Sequence, residues 1–279
     1  MTIVILGAGD LGATVARQAA AADIAARVVL VDDAGAVAAG KALDIAQAGP
    51  VDRYATSVSG TADESAVMGA AIIVIADRVG AGEWDGDVGL GLLARITGLN
   101  QAAPILCAGP HQATLIDRGV HELGVARTRL FGTAPEALRA AALSLVALEA
   151  ETSPADISLM VVGRAPREII VPWESASISG RRAVDVLAPP AITRIEDRLP
   201  RLWPAAATAL GSAAARVMRS MITRAPRAHA LQVAVALGPS APGLSAMLPA
   251  RVYPQGILRM EPPPLSSRDR VRLETALAR

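Results

Sequence analysis

Gly7, Gly9 and Gly12 stand in the run Gly7-Ala8-Gly9-Asp10-Leu11-Gly12. The run follows a short β-branched stretch, Thr2–Leu6, and precedes an alanine-rich, helix-favouring stretch at 12–22. In that setting G-x-G-x-x-G is a seat for a dinucleotide. Gly7 permits the tight turn, Gly9 lets the backbone approach a pyrophosphate, and Gly12 lets the helix pack closely on the strand. The helix start at Asp10 and Leu11 then turns unpaired N–H groups and a partial positive charge toward the phosphates. Asp32 ends the next apolar run, at the spacing where an acid accepts hydrogen bonds from ribose hydroxyls. Its charge, reinforced by Asp33, repels a 2′-phosphate, so NAD(H) is favoured over NADP(H). A glycine turn that binds nothing is the other reading, and FAD uses the same fingerprint, though nothing later in the chain supports it.

The remaining residues able to move protons or bind metals are few. Of three histidines, His111 lies just past the apolar run 105–108, at the C-terminal end of an expected strand, where doubly wound folds bind ligands. It is the candidate proton carrier; the alternative is an ordinary loop or helix-start histidine. His121 reads as a helix-surface residue and His229 as a loop residue ahead of a strand. No H-E-x-x-H or comparable spacing occurs, so no metal is expected. The one cysteine, Cys107, excludes a disulfide framework and reads as a small buried hydrophobe. Residues 77–87 are rich in glycine and acid and read as a solvated loop, with Trp84 as a residue able to cap a pocket.

The elements that must position these groups follow from the pattern of apolar runs. With 279 residues, 52% apolar and 19% charged, the chain excludes disorder and affords a core. Aromatics at 2% and a net charge of +1 argue against nucleic acid as a partner. Lys41 is the only lysine. No apolar stretch is long enough to cross a bilayer and no targeting segment is visible, so a soluble cytoplasmic protein is expected. Runs at 2–6, 27–31, 56–59, 72–76, 105–108 and 129–131 alternate with helical stretches such as 37–47. That alternation means an α/β fold with a Rossmann-type doubly wound parallel sheet. Near 133–134 the composition shifts, giving a dinucleotide-binding domain at 1–133 and an α+β substrate domain at 134–279. The second part carries helices at 136–149, 191–199 and 205–222, strands at 157–162, 168–172 and 231–237, and strands over 244–260 broken by Pro249 and Pro254. A last helix is capped by Ser266 with Asp269 three residues on.

The stretches GAGDLGATVARQ, VVLVDD, GKALDIAQAGPV, SGTAD and IIVIAD within residues 3–77 resemble the lactate/malate dehydrogenase family. The likeness is traceable onward through VPW at 171–173, AAARVMRSM and LSSRDRVRLETALA. It implies hydride transfer between a nicotinamide and a 2-hydroxy or 2-keto acid, in a homodimer or homotetramer. It also implies four helpers: a proton-carrying histidine, an acid that orients it, an arginine that clamps the carboxylate, and a loop arginine that polarises the carbonyl.

Carried over by position, the resemblance aligns Glu136 with the orienting acid and Arg139 with the clamp, inside Gly132-Thr133-Ala134-Pro135-Glu136-Ala137-Leu138-Arg139. Three residues apart on a helix, the two share a face; a solvated surface pair is the alternative. Gly109 stands where the family has an asparagine beside the nicotinamide. The loop proline–arginine pattern is replaced by Asp77–Asp87, whose acidity is wrong for an anionic substrate. The histidine turn aligns with Gly163-Arg164-Ala165-Pro166-Arg167, which holds no histidine. A missing general acid costs about 10²–10⁴-fold. The expectation is therefore an NAD(H)-binding, dehydrogenase-like protein with impaired or rebuilt acid–base machinery, or else a catalytically silent NAD(H)-binding module.

Overall fold

Six short runs form parallel strands: β1 (Thr2–Leu6), β2 (Arg27–Val31), β3 (Ser57–Thr61), β4 (Ile72–Ile75), β5 (Ile105–Cys107) and β6 (Leu130–Gly132). The computed structural model describes residues 1–225, 227–235 and 244–278. Strand order is β3-β2-β1-β4-β5-β6, with Ile3 of β1 between Val28 and Ile72. The order reverses at β1, which creates the crevice in which doubly wound sheets bind ligands. Four helices cover this half: α1 (Asp10–Ala21), α2 (Gly35–Asp52), α3 (Gly86–Leu99) and α4 (Ala113–His121). Ile3 and Ile5 pack with Val15 and Ala19 of α1, while Val4 and Leu6 pack with Leu92 and Ile96 of α3. Both faces of β1 are thus buried, which is why its sequence is continuously apolar rather than alternating.

The second half continues the same sheet. After α5 (Ala134–Glu149) come the hairpin β7 (Val162–Arg164) and β8 (Glu168–Ile170), then α6 (Pro189–Arg198) and α7 (Ala207–Thr223). Strands β9 (Ala228–Val235), β10 (Leu244–Tyr253) and β11 (Gly256–Met260) and the helix α8 (Ser267–Ala278) complete it. β9 pairs antiparallel with β6 through Gln232–Gly132 and Val233–Phe131, and β10, β7 and β8 follow. The described residues form an eleven-stranded mixed sheet. A helix of the second half also lies on the first: a Cβ at Gly211 of α7 would stand 2.6 Å from Thr14 Cγ2 on α1.

Three expectations change. β10 runs unbroken through Pro249, because the Pro249 carbonyl points toward β11, where it accepts from Glu261 N–H at 2.8 Å. The missing N–H therefore faces the end of the β11 ladder, and pairing with β9 is untouched. His229 belongs to β9 rather than a preceding loop, and it is buried. Trp84 is likewise buried, in the core beneath α3. Residues 236 and 237 of the expected strand lie outside the described residues. The Ser266 hydroxyl accepts from Asp269 N–H at 3.1 Å and donates to its carboxylate at 2.9 Å, a reciprocal cap for α8.

Candidate functional site

The glycine turn forms where β1 hands over to α1. Gly7 adopts φ +104°, a conformation that side chains disfavour, and donates to Val31 O at 2.7 Å. α1 then begins without a side-chain cap from Gly9. Its cap comes from a distance: Asp77 Oδ1 accepts from Gly12 N–H at 2.9 Å, and the Asp77 carbonyl accepts from Gly9 N–H at 2.8 Å. The Asp77 carboxylate also fills the space that Gly9 leaves free, since a Cβ on Gly9 would overlap it.

Asp32 stands at the end of β2, 4% exposed. One carboxylate oxygen accepts from Ala8 N–H at 2.8 Å and Val79 N–H at 3.0 Å, and the other from Ala34 N–H at 3.0 Å. Of its roughly four acceptor positions, three are taken by backbone.

Asp77 and Val79 belong to a hairpin, Asp77–Arg78 paired with Gly82–Glu83. The expected solvated loop is therefore an ordered element. The Arg78 guanidinium lies 4.6 Å over the Trp84 ring, which ties the hairpin to α3. At its far end, one Glu83 oxygen accepts from His111 N–H at 3.0 Å and the other lies 2.7 Å from His111 Nδ1. A Cβ on Gly109 would overlap the Glu83 carboxylate, so glycine at this strand end makes room for it. Gln112, 1% exposed, accepts from Gly109 N–H at 2.8 Å and holds the turn. Asp10, Asp77, Glu83 and His111 line one groove cavity of about 530 Å³. Nearby Cys107 is buried; burial first, then the Glu83 charge, push its thiol far above the usual range.

Tested against a dinucleotide, the groove does not fit one while the hairpin is in place. The space next to Gly9 holds a carboxylate, the Gly12 donor is engaged, and Asp32, the acid expected to hold a ribose, is covered by the hairpin backbone. A diphosphate brought to the same place meets a like charge as well as an occupied volume.

Glu136 and Arg139 do come together, but in the interior. Glu136 is 3% exposed at the start of α5. Its Oε1 lies 2.8 Å from Arg139 Nη1, 3.3 Å from His229 Nδ1 and 3.4 Å from Arg216 Nε, and its Oε2 accepts from Ala230 N–H at 3.0 Å. Burial pushes the Glu136 carboxyl up, but His229 beside it, the Arg139 charge and the Ala230 N–H together hold it below the ordinary range. Arg139 Nε donates to Leu159 O at 2.8 Å, and His229 Nε2 lies 2.8 Å from Ser220 Oγ. The cavity beside Glu136 and Arg139 shares no lining residue with the groove that holds His111. The hairpin β7–β8, aligned with the missing histidine, instead turns Arg164 Nη1 to Ala276 O at 3.3 Å.

Asp77, Val79, Glu83, Gln112 and His229 were not singled out as site residues from the sequence. Asp77 alone carried a usable signal, being a charged residue directly beyond the apolar run 72–76, at the ligand-binding edge of the sheet. Among the described residues no group of three or more His, Cys, Asp or Glu is placed to hold a metal, and no helix is long and apolar enough to cross a membrane.

No protein-family model matches the chain. It is 30% identical over 206 residues to a malate dehydrogenase of Thioalkalivibrio sulfidiphilus, covering 70% of this chain and 67% of that one. It is 29% identical over 205 residues to a malate dehydrogenase of Roseiflexus, covering 70% of this chain and 66% of that one, just under two thirds of its length. The fold superposes on the malate dehydrogenase of Salinibacter ruber with a TM-score of 0.88 at 21% identity, covering 100% of this chain and 94% of that one. The Cryptosporidium parvum lactate dehydrogenase, solved with lactic acid and nicotinamide adenine dinucleotide, gives 0.86 at 17% identity, covering 99% and 94%.

Proposed function

Because the chain belongs to the lactate/malate dehydrogenase family, we propose that it is a catalytically silent member, a protein that takes up NAD(H) without turning over a 2-hydroxy acid. The observation that carries this is the state of the acid–base set. Ala165 and Pro166 stand where the proton carrier aligns, and the aligned clamp, Arg139, is engaged by Glu136 and the Leu159 carbonyl. A clamp needs its guanidinium fork free to meet a carboxylate. NAD(H) rather than NADP(H) is the proposed dinucleotide, on the glycine run and the paired acids Asp32 and Asp33. When bound, a nicotinamide supplies a hydride donor or acceptor. This chain's part would be to seat and orient it, and no residue aligned with the family's acid–base pair stands ready to move a proton. Homo-oligomeric assembly and a cytoplasmic location belong to the same proposal.

The test is NADH oxidation with a panel of 2-keto acids including pyruvate and oxaloacetate. No turnover above background is expected, while NADH binds saturably by calorimetry. Turnover on any of them overturns the silent reading.

One observation favours a second reading, an oxidoreductase with a rebuilt proton carrier. Glu83 holds His111 by its Nδ1, leaving Nε2 to hold or release a proton at the groove, and His111 is 64% exposed. This reading needs the hairpin in place, whereas the dinucleotide needs its space, so it ranks second. Turnover abolished by His111→Gln would support it.

A further inference from the structure

The hairpin meets the crevice at three places that a dinucleotide would use. At the adenosine end Val79 N–H donates to Asp32 Oδ2 at 3.0 Å, in the place of a ribose hydroxyl. At the glycine turn Asp77 Oδ1 accepts from Gly12 N–H at 2.9 Å, in the place of a phosphate oxygen. At the strand-end side Glu83 fills the room over Gly109 and holds His111 at both its backbone N–H and its ring. An anion at a helix start, a donor to the ribose acid and a polar group beyond β5 reproduce the polarity of the absent ligand in order.

From this we propose that residues 77–83 form an intramolecular plug of the dinucleotide groove, with the Asp77 carboxylate as the resident anion, so that NAD(H) enters only when the hairpin swings out. It holds only if the groove accepts NAD(H) at all. The element is built to leave: its paired strands are two residues each, and it turns through Gly80 and Gly82, around which a Cβ would meet nothing within 4 Å. Its hold on the body consists of a few hydrogen bonds, the Arg78–Trp84 contact and one partly buried apolar side chain, Val79, packed on the core. The acidity of the segment then has a physical reason. The charge that repels an incoming diphosphate is the charge that satisfies the helix start in its absence.

The experiment is calorimetric titration of the whole protein with NADH, in wild type, Asp77→Ala and Glu83→Ala, with hydrogen exchange of residues 77–83 recorded before and after saturation. Asp77→Ala is expected to tighten NADH binding at least tenfold. Glu83→Ala, which releases the far anchor and leaves the glycine turn untouched, is expected to tighten it by a smaller factor. In wild type, saturating NADH is expected to speed exchange at Val79. If folded wild type and both variants bind with the same affinity, the plug is overturned while NAD(H) binding stands. If none of them binds although all are folded, the plug and the NAD(H) reading fall together. Turnover in the keto-acid panel would overturn the silent reading and leave the plug intact.

Discussion

The groove and the Glu136 cluster keep family residues in opposite ways. In the groove, Gly7, Gly9, Gly12 and Asp32 retain their types and places, and what has changed is a neighbouring segment that now meets them. In the cluster, Glu136 and Arg139 stay three residues apart on α5, but their partners are fixed parts of the interior: Ala230 of β9, the Leu159 carbonyl and buried His229. On the plug proposal the groove holds a removable piece of the chain where a dinucleotide would sit, while the cluster is part of the interior. One difference follows for experiment. Perturbing the groove should move binding more than stability, and perturbing the cluster should move stability with no effect on NADH affinity.

The largest expected effect is in the cluster. Glu136→Ala leaves the Arg139 guanidinium, 12% exposed, without its carboxylate and Ala230 N–H without an acceptor. Breaking a buried pair from one side costs about 3–5 kcal/mol, and chemical denaturation should show a loss of that order. NADH affinity of the surviving folded fraction should be unchanged. A loss below about 1 kcal/mol, the range of an exposed pair, would place Glu136 at the surface and erase the contrast.

A smaller effect appears as a pH dependence. The Glu136 carboxyl is held below its ordinary value of 4.5. A lowered folded-state value means that the stabilisation is fully present above the unfolded value and is lost as pH falls through the folded one. The groups facing it are Arg139, Arg216, His229 and the Ala230 N–H. Wild type should therefore lose stability more steeply than Glu136→Gln as pH drops below about 4.5, the two profiles running parallel above it. Parallel profiles throughout would show that the carboxyl is not held down by the fold.

Much of the sheet was legible because its strands are continuous apolar runs, and the runs at 2–6 and 27–31 match β1 and β2. The glycine turn was legible because backbone geometry there admits few residues. The hairpin was not, because Val79 meets Asp32 through its backbone N–H, which carries no residue signal. Glu83 was misleading for a related reason: the acidity of its segment argued against an anionic substrate, whereas its carboxylate is taken up within the fold by His111. Glu136 and Arg139 could be paired from spacing alone, but burial depends on β9, whose Ala230 is 94 residues from Glu136 in sequence and whose His229 carries no local signal of a strand interior. Pro249 was read as a breaker because sequence does not reveal which edge of a strand its missing donor faces.

The smallest effect sharpens the contrast from the groove side. Arg78 stacks on Trp84 at 4.6 Å and its Nη2 donates to Ala81 O at 3.2 Å, so it holds the hairpin without touching the glycine turn or Asp32. A cation–π contact of this kind is worth about 0.5–1 kcal/mol at an exposed site and more when desolvated. Arg78→Ala should therefore leave global unfolding almost unmoved while favouring the open hairpin by up to about fivefold, since 1.4 kcal/mol is tenfold. Hydrogen exchange at Val79 should accelerate by that factor, with exchange at Ala230 in the cluster unaltered. Equal acceleration at both amides would mean that the hairpin opens only with the whole molecule, and the groove would then be as architectural as the cluster.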